Sequence, residues 1–293
     1  MIIQKPSQQK LDVSVTVVVE YSDYEFYDIK NTVDSCAVVH AADDDASTWM
    51  IAQIVAVDSS TLDYIIDEAR KYFSALPKAT LLRSSEVRLS SAQARSAAMS
   101  VATGDVLVFV DSAVVCAAGW LAPLVDAVLR HPDAIVSPHL DRVRDAVSLE
   151  YERTDDRLVS GLSWDLAVRM RNAPAEMVTD EGCCIKTAAL RGNVVAVRRK
   201  LFVALGGYDS KLATAETNDA GHNVELSLRS WMCGVDVYTV PCSRVGVLNL
   251  RDPVKVRFIF DITVGTNADV ARGIFVCSFT RKVPCSLNEF VQL

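Results

Sequence analysis

Three apolar runs constrain the fold of this 293-residue chain more than any other feature. They read VSVTVVV at residues 13–19, IVAVDSS at 54–60 and VLVFV at 106–110. Runs this rich in β-branched residues lack the polar alternation of a strand with one face in water, and they are typical of strands buried on both faces of a parallel sheet. The chain is therefore predicted to fold as an α/β domain.

Helical segments alternate with these strands. Apolar residues recur at helical spacing between residues 62 and 73, a short strand is predicted at 79–83, and a helix rich in small residues is predicted at 90–102. This alternation predicts a mostly parallel sheet with right-handed crossovers. Ligands bind such sheets at the carboxyl ends of the strands, where Asp58 and Asp111 stand.

The remaining elements are less regular. The stretch between the first two strands, which contains the acidic triplet at residues 43–45, is expected to be irregular. Later elements are predicted as helices near 120–130, 198–205 and 222–232, and as strands at 134–138, 147–151, 194–197 and 235–241. No repeat or linker divides the chain, so one domain with a less regular C-terminal half is expected.

Charge excludes some classes of partner. Thirty basic and 37 acidic residues give a net charge of −7 and a pI near 5.2, so a nucleic-acid backbone or an anionic membrane is not attracted, and direct nucleic-acid binding is not expected. The weakly charged window at 106–125 contains Asp111, and it is interpreted as strand, loop and helix rather than as a membrane span. The N-terminal residues show no signal or transit peptide, and the default expectation is a soluble intracellular protein.

The eight cysteines show neither a CxxC pair nor the Cys/His spacing of a zinc module. They suit either buried thiols in a reducing compartment or disulfides in a secretory one. Because the chain contains no N-glycosylation sequon, reduced thiols are preferred.

Two blocks carry a resemblance to a known family: ATGDVLVFVDSAVVCAAGW at 102–120 and NVELSLRSWMCGVDVYTVPCSRVG at 223–246. They resemble the polypeptide N-acetylgalactosaminyltransferases, a Golgi family with the GT-A glycosyltransferase fold that transfers GalNAc from UDP-GalNAc to Ser or Thr. The similarity also takes in residues 162–169, 194–209 and, weakly, 263–272.

The resemblance implies a domain organisation. A glycosyltransferase-like GT-A domain is expected at residues 13–275, between an N-terminal extension at 1–12 and a C-terminal tail at 276–293. The family's lectin domain and transmembrane anchor are not expected in this chain.

The resemblance also implies a metal site, and the chain departs from it. The family holds Mn²⁺ with an Asp-x-His motif and with a second His that closes a Ser-Arg-Val-Gly-His-like motif. Here the first motif reads Asp111, Ser112, Ala113, and the second ends in Val247. Alanine and valine offer no lone pair, so the ligand positions Asp111, Ala113 and Val247 are interpreted as degenerate, and no metal cofactor is predicted.

A third departure concerns catalysis. His222 stands where the family has a Glu at the sugar end of its site. It is either a substitute acid, base or ligand or, as a loop residue beside Gly221, an exposed surface residue, and the second reading is preferred. No other catalytic residue is assigned. By resemblance, Asp58, Arg95 and Asp111 are expected to form a residual nucleotide site. The alternative is that these three residues have structural roles only.

Cys233 and Cys242 match cysteines that the family uses in disulfides. Nothing before Cys36 supplies the N-terminal partner, so both are predicted to be buried thiols here.

Three functions remain open at this point. The first is a pseudoenzyme that keeps the UDP-sugar transferase scaffold and serves as a structural subunit with protein partners in a larger assembly. The second is an active, metal-independent UDP-GalNAc-type transferase in which Arg191 or Arg244 carries the diphosphate charge. The third is a non-catalytic module that binds a UDP-sugar or a peptide.

Overall fold

The computed structural model describes residues 13–22, 26–37, 49–84, 88–112, 114–144, 151–154, 158–163, 167–174, 184–209 and 221–248. The predictions for residues 1–12, 263–272 and 276–293, and for Ala113, lie outside these residues.

Strands and helices alternate through the N-terminal half, as the apolar runs predict. The helices are α1 (Phe26–Ala37), α2 (Asp63–Ala75), α3 (Ser91–Ala98), α4 (Leu121–Arg130), α5 (Arg199–Ala204) and α6 (Gly221–Met232). The strands are β1 (Val13–Tyr21), β2 (Trp49–Asp58), β3 (Ala79–Arg83), β4 (Val106–Asp111), β5 (Val114–Cys116), β6 (Ala134–Val143), β7 (Tyr151–Glu152), β8 (Leu158–Leu162), β9 (Val168–Asn172), β10 (Ile185–Lys186), β11 (Val194–Arg198) and β12 (Asp236–Leu248).

A large mixed sheet organises the described residues, with strand order β10-β12-β6-β11-β4-β1-β2-β3. The pairs β1–β2, β1–β4, β2–β3 and β6–β12 are parallel, whereas β11 is antiparallel to both β4 and β6. The short strand β5 pairs with β12, and β8 and β9 form a separate hairpin. The predicted α/β fold with a mostly parallel central sheet is confirmed.

Apolar side chains on both faces of the sheet explain the continuous apolar runs. One face packs against α1, α2 and α4 through residues such as Ile29, Ile65 and Leu124. The other face packs against α3, α5 and α6, where the rings of Phe109 on β4 and Phe202 on α5 are tilted to each other with their centroids 5.0 Å apart. Burying a side chain of this size stabilises the fold by roughly 1.5–3 kcal/mol.

Helix α3 shows how local sequence sets an element that later positions the site. Ser90 is its N-cap: the hydroxyl accepts a hydrogen bond from the backbone N–H of Gln93, and the Gln93 side chain accepts one from the N–H of Ser90. This capping box satisfies two backbone donors at the helix start. The helix ends at Ala98, earlier than the predicted Ala102, and turns follow it.

Several elements differ from the sequence prediction. Helix α1 occupies part of the stretch expected to be irregular, because Ile29, Val33 and Cys36 bury one face of it. Strand β12 is longer than predicted and extends to Leu248 through a register shift between Val240 and Arg244. None of the described helices has the length and hydropathy needed to cross a bilayer.

The prediction for two of the cysteines was wrong. Cys233 and Cys242 each take part in a disulfide, whereas Cys36 and Cys116 are buried thiols. That prediction rested on the lack of a cysteine partner before Cys36, and the general preference for reduced thiols rested on the missing sequon. Neither property excludes oxidation with other cysteines of the chain.

Candidate functional site

Acidic residues from three neighbouring strands meet at the carboxyl edge of the sheet. Strand register pairs Glu20 of β1 with Asp111 of β4, and Tyr21 of β1 with Asp58 of β2. Side chains alternate along a strand, so Glu20 and Asp111 share the face that carries α3, while Tyr21 and Asp58 share the opposite face. The sequence-predicted Asp58 and Asp111 therefore lie on the same edge but on different faces.

Arg95 organises the α3 face of this edge. It is fully buried, and its guanidinium lies between two carboxylates. Its Nε donates to Glu20 Oε1 at 3.0 Å, and its Nη2 donates to Asp111 Oδ1. The sequence-predicted pair Arg95 and Asp111 is thus in direct contact, and Glu20 completes an ion cluster that we call the Arg95 cluster (Glu20, Arg95 and Asp111).

Burial sets the electrostatics of the Arg95 cluster. Burial raises the pKa of Glu20 to about 7; Arg95 opposes this rise, and the Asp111 carboxylate adds to it. Burial alone would lower the pKa of Arg95, but Glu20, Tyr208 and Asp111 together hold it above its usual range. The cluster therefore contains a permanent cation between two carboxyl groups, one of which gains its proton near neutral pH.

Arg95 also connects to α6 through neutral groups. Its Nη1 donates to the Tyr208 hydroxyl at 2.9 Å, and that hydroxyl donates to Asn223 Oδ1 at 3.1 Å. The Arg95 guanidinium carbon lies 5.2 Å from the centroid of the Tyr208 ring. Burial raises the pKa of Tyr208 to about 12, although Arg95 opposes the rise, so this phenol keeps its proton at neutral pH.

His222 is buried, so its predicted surface position was wrong. It lies in the first turn of α6 with 8% of its surface exposed. Its Nε2 is 3.0 Å from Asn223 Nδ2, and its ring stacks edge-on against Tyr208 at 5.2 Å. The buried imidazole of His222 is satisfied by a polar neighbour, Asn223, and an aromatic one, Tyr208.

A tight turn before β11 supplies a second contact to Asp111. Asn193 Nδ2 donates to Asp111 Oδ2 at 3.3 Å, and the backbone N–H of Asp111 donates to Asn193 O at 2.7 Å. Gly192 has φ +104°, and a Cβ there would lie 2.9 Å from Asn223 Nδ2. The glycine is required for this close approach. With Arg95 on Oδ1 and Asn193 on Oδ2, each carboxylate oxygen of Asp111 accepts a hydrogen bond from the protein.

The opposite face carries buried oxygen atoms without protein partners. Asp58 Oδ1 accepts a hydrogen bond from the Ser60 backbone N–H at 2.8 Å. Asp58 Oδ2, Ser60 Oγ and the Tyr21 hydroxyl have none. Burial raises the pKa of Tyr21, and the nearby Asp58 carboxylate raises it further. Buried polar atoms of this kind are ordinarily satisfied by water or by a ligand.

Val247 lies on β12 directly opposite Val114 of β5, and 5% of its surface is exposed. Strand pairing thus brings residues 245–247 next to the chain that follows Asp111. Among the described residues, no three His, Cys, Asp or Glu side chains are grouped as metal ligands.

Of the two arginines considered as diphosphate ligands, Arg191 is buried and Arg244 is partly buried. Arg244 Nε donates to Asp141 Oδ2 at 2.8 Å, and its Nη2 donates to Asp141 Oδ1 at 2.5 Å. Burial tends to raise the pKa of Asp141, but Arg244 and the Thr154 backbone N–H outweigh it and lower that pKa. The charge of Arg244 on β12 is therefore paired with that of Asp141 on the neighbouring strand β6. Arg191 is 7% exposed.

Sequence reasoning missed Glu20, Asn193, Tyr208 and Asn223 as members of the site. The signal for Glu20 was present, because it directly follows an apolar run, as Asp58 and Asp111 do. The other three are joined to Arg95 or Asp111 only by the fold.

Comparisons with known proteins place this geometry in context. The glycosyl transferase family 2 model matches residues 25–191. The rat polypeptide N-acetylgalactosaminyltransferase 5 is 33% identical over 219 residues, which are 73% of this chain and 23% of the rat protein. The inactive polypeptide N-acetylgalactosaminyltransferase-like protein 5 of Macaca fascicularis is 30% identical over 276 residues, 90% of this chain and 58% of its own length. The chain thus spans less than two thirds of either relative.

A solved structure supports the same fold. The crystal structure of GalNAc-T7 with UDP, GalNAc and Mn²⁺ superposes with a TM-score of 0.69 at 23% identity, over 84% of this chain and 45% of that chain.

Proposed function

Since the chain belongs to glycosyl transferase family 2 and is related to the polypeptide N-acetylgalactosaminyltransferases, we propose that it is a pseudoenzyme of this family. It keeps the UDP-sugar transferase scaffold, lacks the metal site and transfer chemistry, and serves as a structural or interaction subunit. One observation carries the proposal: the carboxylate of Asp111 is bonded on both oxygens by protein donors.

Before Asp111 could bind a divalent cation, its carboxylate would have to give up its hydrogen bonds to Arg95 and Asn193. Manganese and magnesium prefer oxygen ligands, carboxylates among them. Asp111 offers its oxygens to Arg95 and Asn193 instead, and breaking its contact with Arg95 would leave a buried cation with one fewer partner. The residues present therefore fit a closed ion cluster better than a metal centre.

The second motif supports the same conclusion. Val247 has no lone pair, and it faces Val114 across paired strands with both side chains buried. Apolar packing at this position stabilises the strand pair and excludes the water that a hydrated cation would retain. Of the three positions at which the family has metal ligands, this sequence therefore keeps a ligand residue only at Asp111, because the other two are Ala113 and Val247.

Charge also disfavours a diphosphate. In the Arg95 cluster, two carboxyl groups surround one guanidinium, so the cluster has a net charge of about −1 when Glu20 is ionised. The alternative of a metal-independent transferase needs a cation directed at the leaving group, but Arg95 and Arg244 are both already paired with carboxylates.

A second candidate function rests on the opposite face. Asp58 Oδ2, Ser60 Oγ and the Tyr21 hydroxyl are buried without protein partners, and they suit the polar edge of a nucleoside. This observation favours a module that binds a uridine nucleotide without turning it over. The two candidates differ only in whether this polar face is occupied.

Thermal-shift titration of the full chain tests both. The pseudoenzyme predicts no change of Tm with UDP or UDP-GalNAc, with or without Mn²⁺. A shift that does not depend on Mn²⁺, without release of labelled sugar, supports the binding module. A Mn²⁺-dependent shift, or sugar transfer to a peptide acceptor, contradicts the proposal.

A restoration variant tests the assignment of residues. Combining Ala113→His, Val247→His and His222→Glu should create a Mn²⁺-dependent rise in Tm if these positions are the lost ligands and the lost acid. Asp141→Asn, which alters a carboxylate away from the strand-end cluster, serves as a control that should not bring a response to Mn²⁺. A triple variant that folds but whose Tm does not change with Mn²⁺ would count against the residue assignment.

A further inference from the structure

Two buried cysteines away from the Arg95 cluster are in direct contact. The Sγ atoms of Cys36 and Cys116 lie 3.4 Å apart, although the residues are 80 positions apart in the chain. Cys36 is on α1 and Cys116 ends β5, and their exposed fractions are 1% and 8%. A disulfide is about 2.0 Å long, so the sulfurs need to approach by only about 1.4 Å.

Hydrogen bonds beside the thiols fix α1 against β5. The Thr32 hydroxyl accepts from the backbone N–H of Val114 at 3.2 Å, and the Ser35 hydroxyl accepts from the N–H of Cys116 itself at 3.1 Å. Both helix residues lie within about one turn before Cys36. The contact between the sulfurs therefore belongs to a defined packing arrangement of the helix and the strand.

The same chain carries oxidised cysteines. Cys233 and Cys242 are disulfide-bonded, and structural disulfides form and persist in oxidising environments. A pair of thiols held in contact would meet the same oxidants while the chain folds. We propose that Cys36 and Cys116 are a disulfide-forming pair that crosslinks α1 to β5.

The chemistry is thiol–disulfide exchange with a disulfide oxidant such as oxidised glutathione. The thiolate of one cysteine attacks the oxidant's disulfide and releases one glutathione thiol, which leaves a mixed disulfide. The second cysteine then attacks the protein sulfur and releases the second glutathione thiol. Two protein thiols lose two electrons and two protons in total, and one glutathione disulfide is reduced to two thiols.

The timing of the reaction follows from burial. Burial raises the pKa of Cys116, and the neighbouring Cys36 raises it further, so the thiolate is scarce once α1 covers β5. Exchange therefore takes place as α1 approaches β5 during folding and brings the two thiols together, before both are covered, and afterwards the bond is protected.

The crosslink would reinforce the strand that joins the two family motifs. Strand β5 follows the segment after Asp111 and pairs with β12, where Cys116 lies opposite Val245 and Val114 lies opposite Val247. Tying β5 to α1 closes a long loop and so restricts the unfolded chain more than the folded one.

The test is refolding of the reduced full chain in glutathione buffer. The oxidised fraction is raised until Cys233 and Cys242 are fully protected from alkylation, which makes them the internal control for oxidation. The protein is then denatured, alkylated without reduction, digested and analysed by mass spectrometry. A peptide linked through Cys36 and Cys116 is expected. Alkylation of both cysteines, while Cys233 and Cys242 stay protected, would overturn the proposal.

Matched variants give a second readout. Cys184→Ser, at a third buried cysteine, should keep the linked peptide, whereas Cys36→Ser should leave Cys116 open to alkylation. The fall in Tm on reduction should be larger in the wild type than in Cys116→Ala by roughly 5–10 °C. Equal falls in the two proteins would contradict a crosslink at this position.

Discussion

Replacing Glu20 by Gln should change how the stability of the protein depends on pH. Glu20 is buried, and its pKa is about 7 in the folded protein against an ordinary value of 4.5. Between these two pH values the folded chain holds a proton that the unfolded chain has lost. The stability contributed by Glu20 is therefore present at low pH and is lost as pH rises from 4.5 to about 7.

The magnitude follows from the same pKa values. Each pH unit between them costs about 1.4 kcal/mol, which amounts to roughly 2–3 kcal/mol between pH 5 and pH 8. Gln keeps the size of Glu and a carbonyl that accepts from Arg95 Nε, but it carries no charge. The Glu20→Gln variant should thus gain about 2–3 kcal/mol over the wild type between pH 5 and pH 8.

Urea unfolding of both proteins at several pH values between 5 and 8 measures this difference directly, because the titrations shared by the two proteins cancel. Glu68→Gln, at an exposed position on α2, is the matched control, and its difference from the wild type should stay constant with pH. A Glu20→Gln variant whose difference also stays constant would refute the reasoning about the Arg95 cluster.

Three further substitutions test the surroundings of the cluster by urea unfolding. Arg95→Met removes the cation between two carboxyl groups and should cost about 3–5 kcal/mol, whereas Arg70→Met, in an exposed ion pair, should cost little; equal losses would contradict the role of Arg95. Gly192→Ala, at a positive φ against Asn223, should cost about 1–3 kcal/mol, and a loss no larger than that of Gly161→Ala would contradict the strain. Ser90→Ala removes the capping hydroxyl and should cost about 1 kcal/mol; an unchanged stability would show that the cap is dispensable.

The apolar runs were sufficient to predict the fold class because burial on both faces leaves a strong local signal. Runs such as 13–19 and 106–110 became β1 and β4, each one or two residues longer than predicted at its carboxyl end. Helix α1 was missed although Ile29, Val33 and Cys36 have helical spacing, because polar residues between them obscure a short apolar face.

The site was only partly predictable because its contacts depend on strand order. Arg95 and Glu20 are 75 residues apart in the chain, and they meet because α3 packs against β1. Glu20 and Asp111 meet because β1 and β4 are neighbours in the sheet. The burial of His222 was not predicted, since a polar residue next to a glycine is ordinarily exposed. It is buried here because Tyr208, on a separate segment of the chain, is brought against its ring by the fold, while the adjacent Asn223 contacts its Nε2. Predictions at Ala113 lie outside the described residues.

Titration of Mn²⁺ followed by electron paramagnetic resonance tests most directly whether the metal-dependent nucleotide site has been lost. The signal of free Mn²⁺ is compared in buffer containing UDP with and without the full chain. The account predicts the same free Mn²⁺ in both samples at every concentration. A loss of free Mn²⁺ that saturates at one ion per chain, and that disappears in Asp111→Asn, would contradict it.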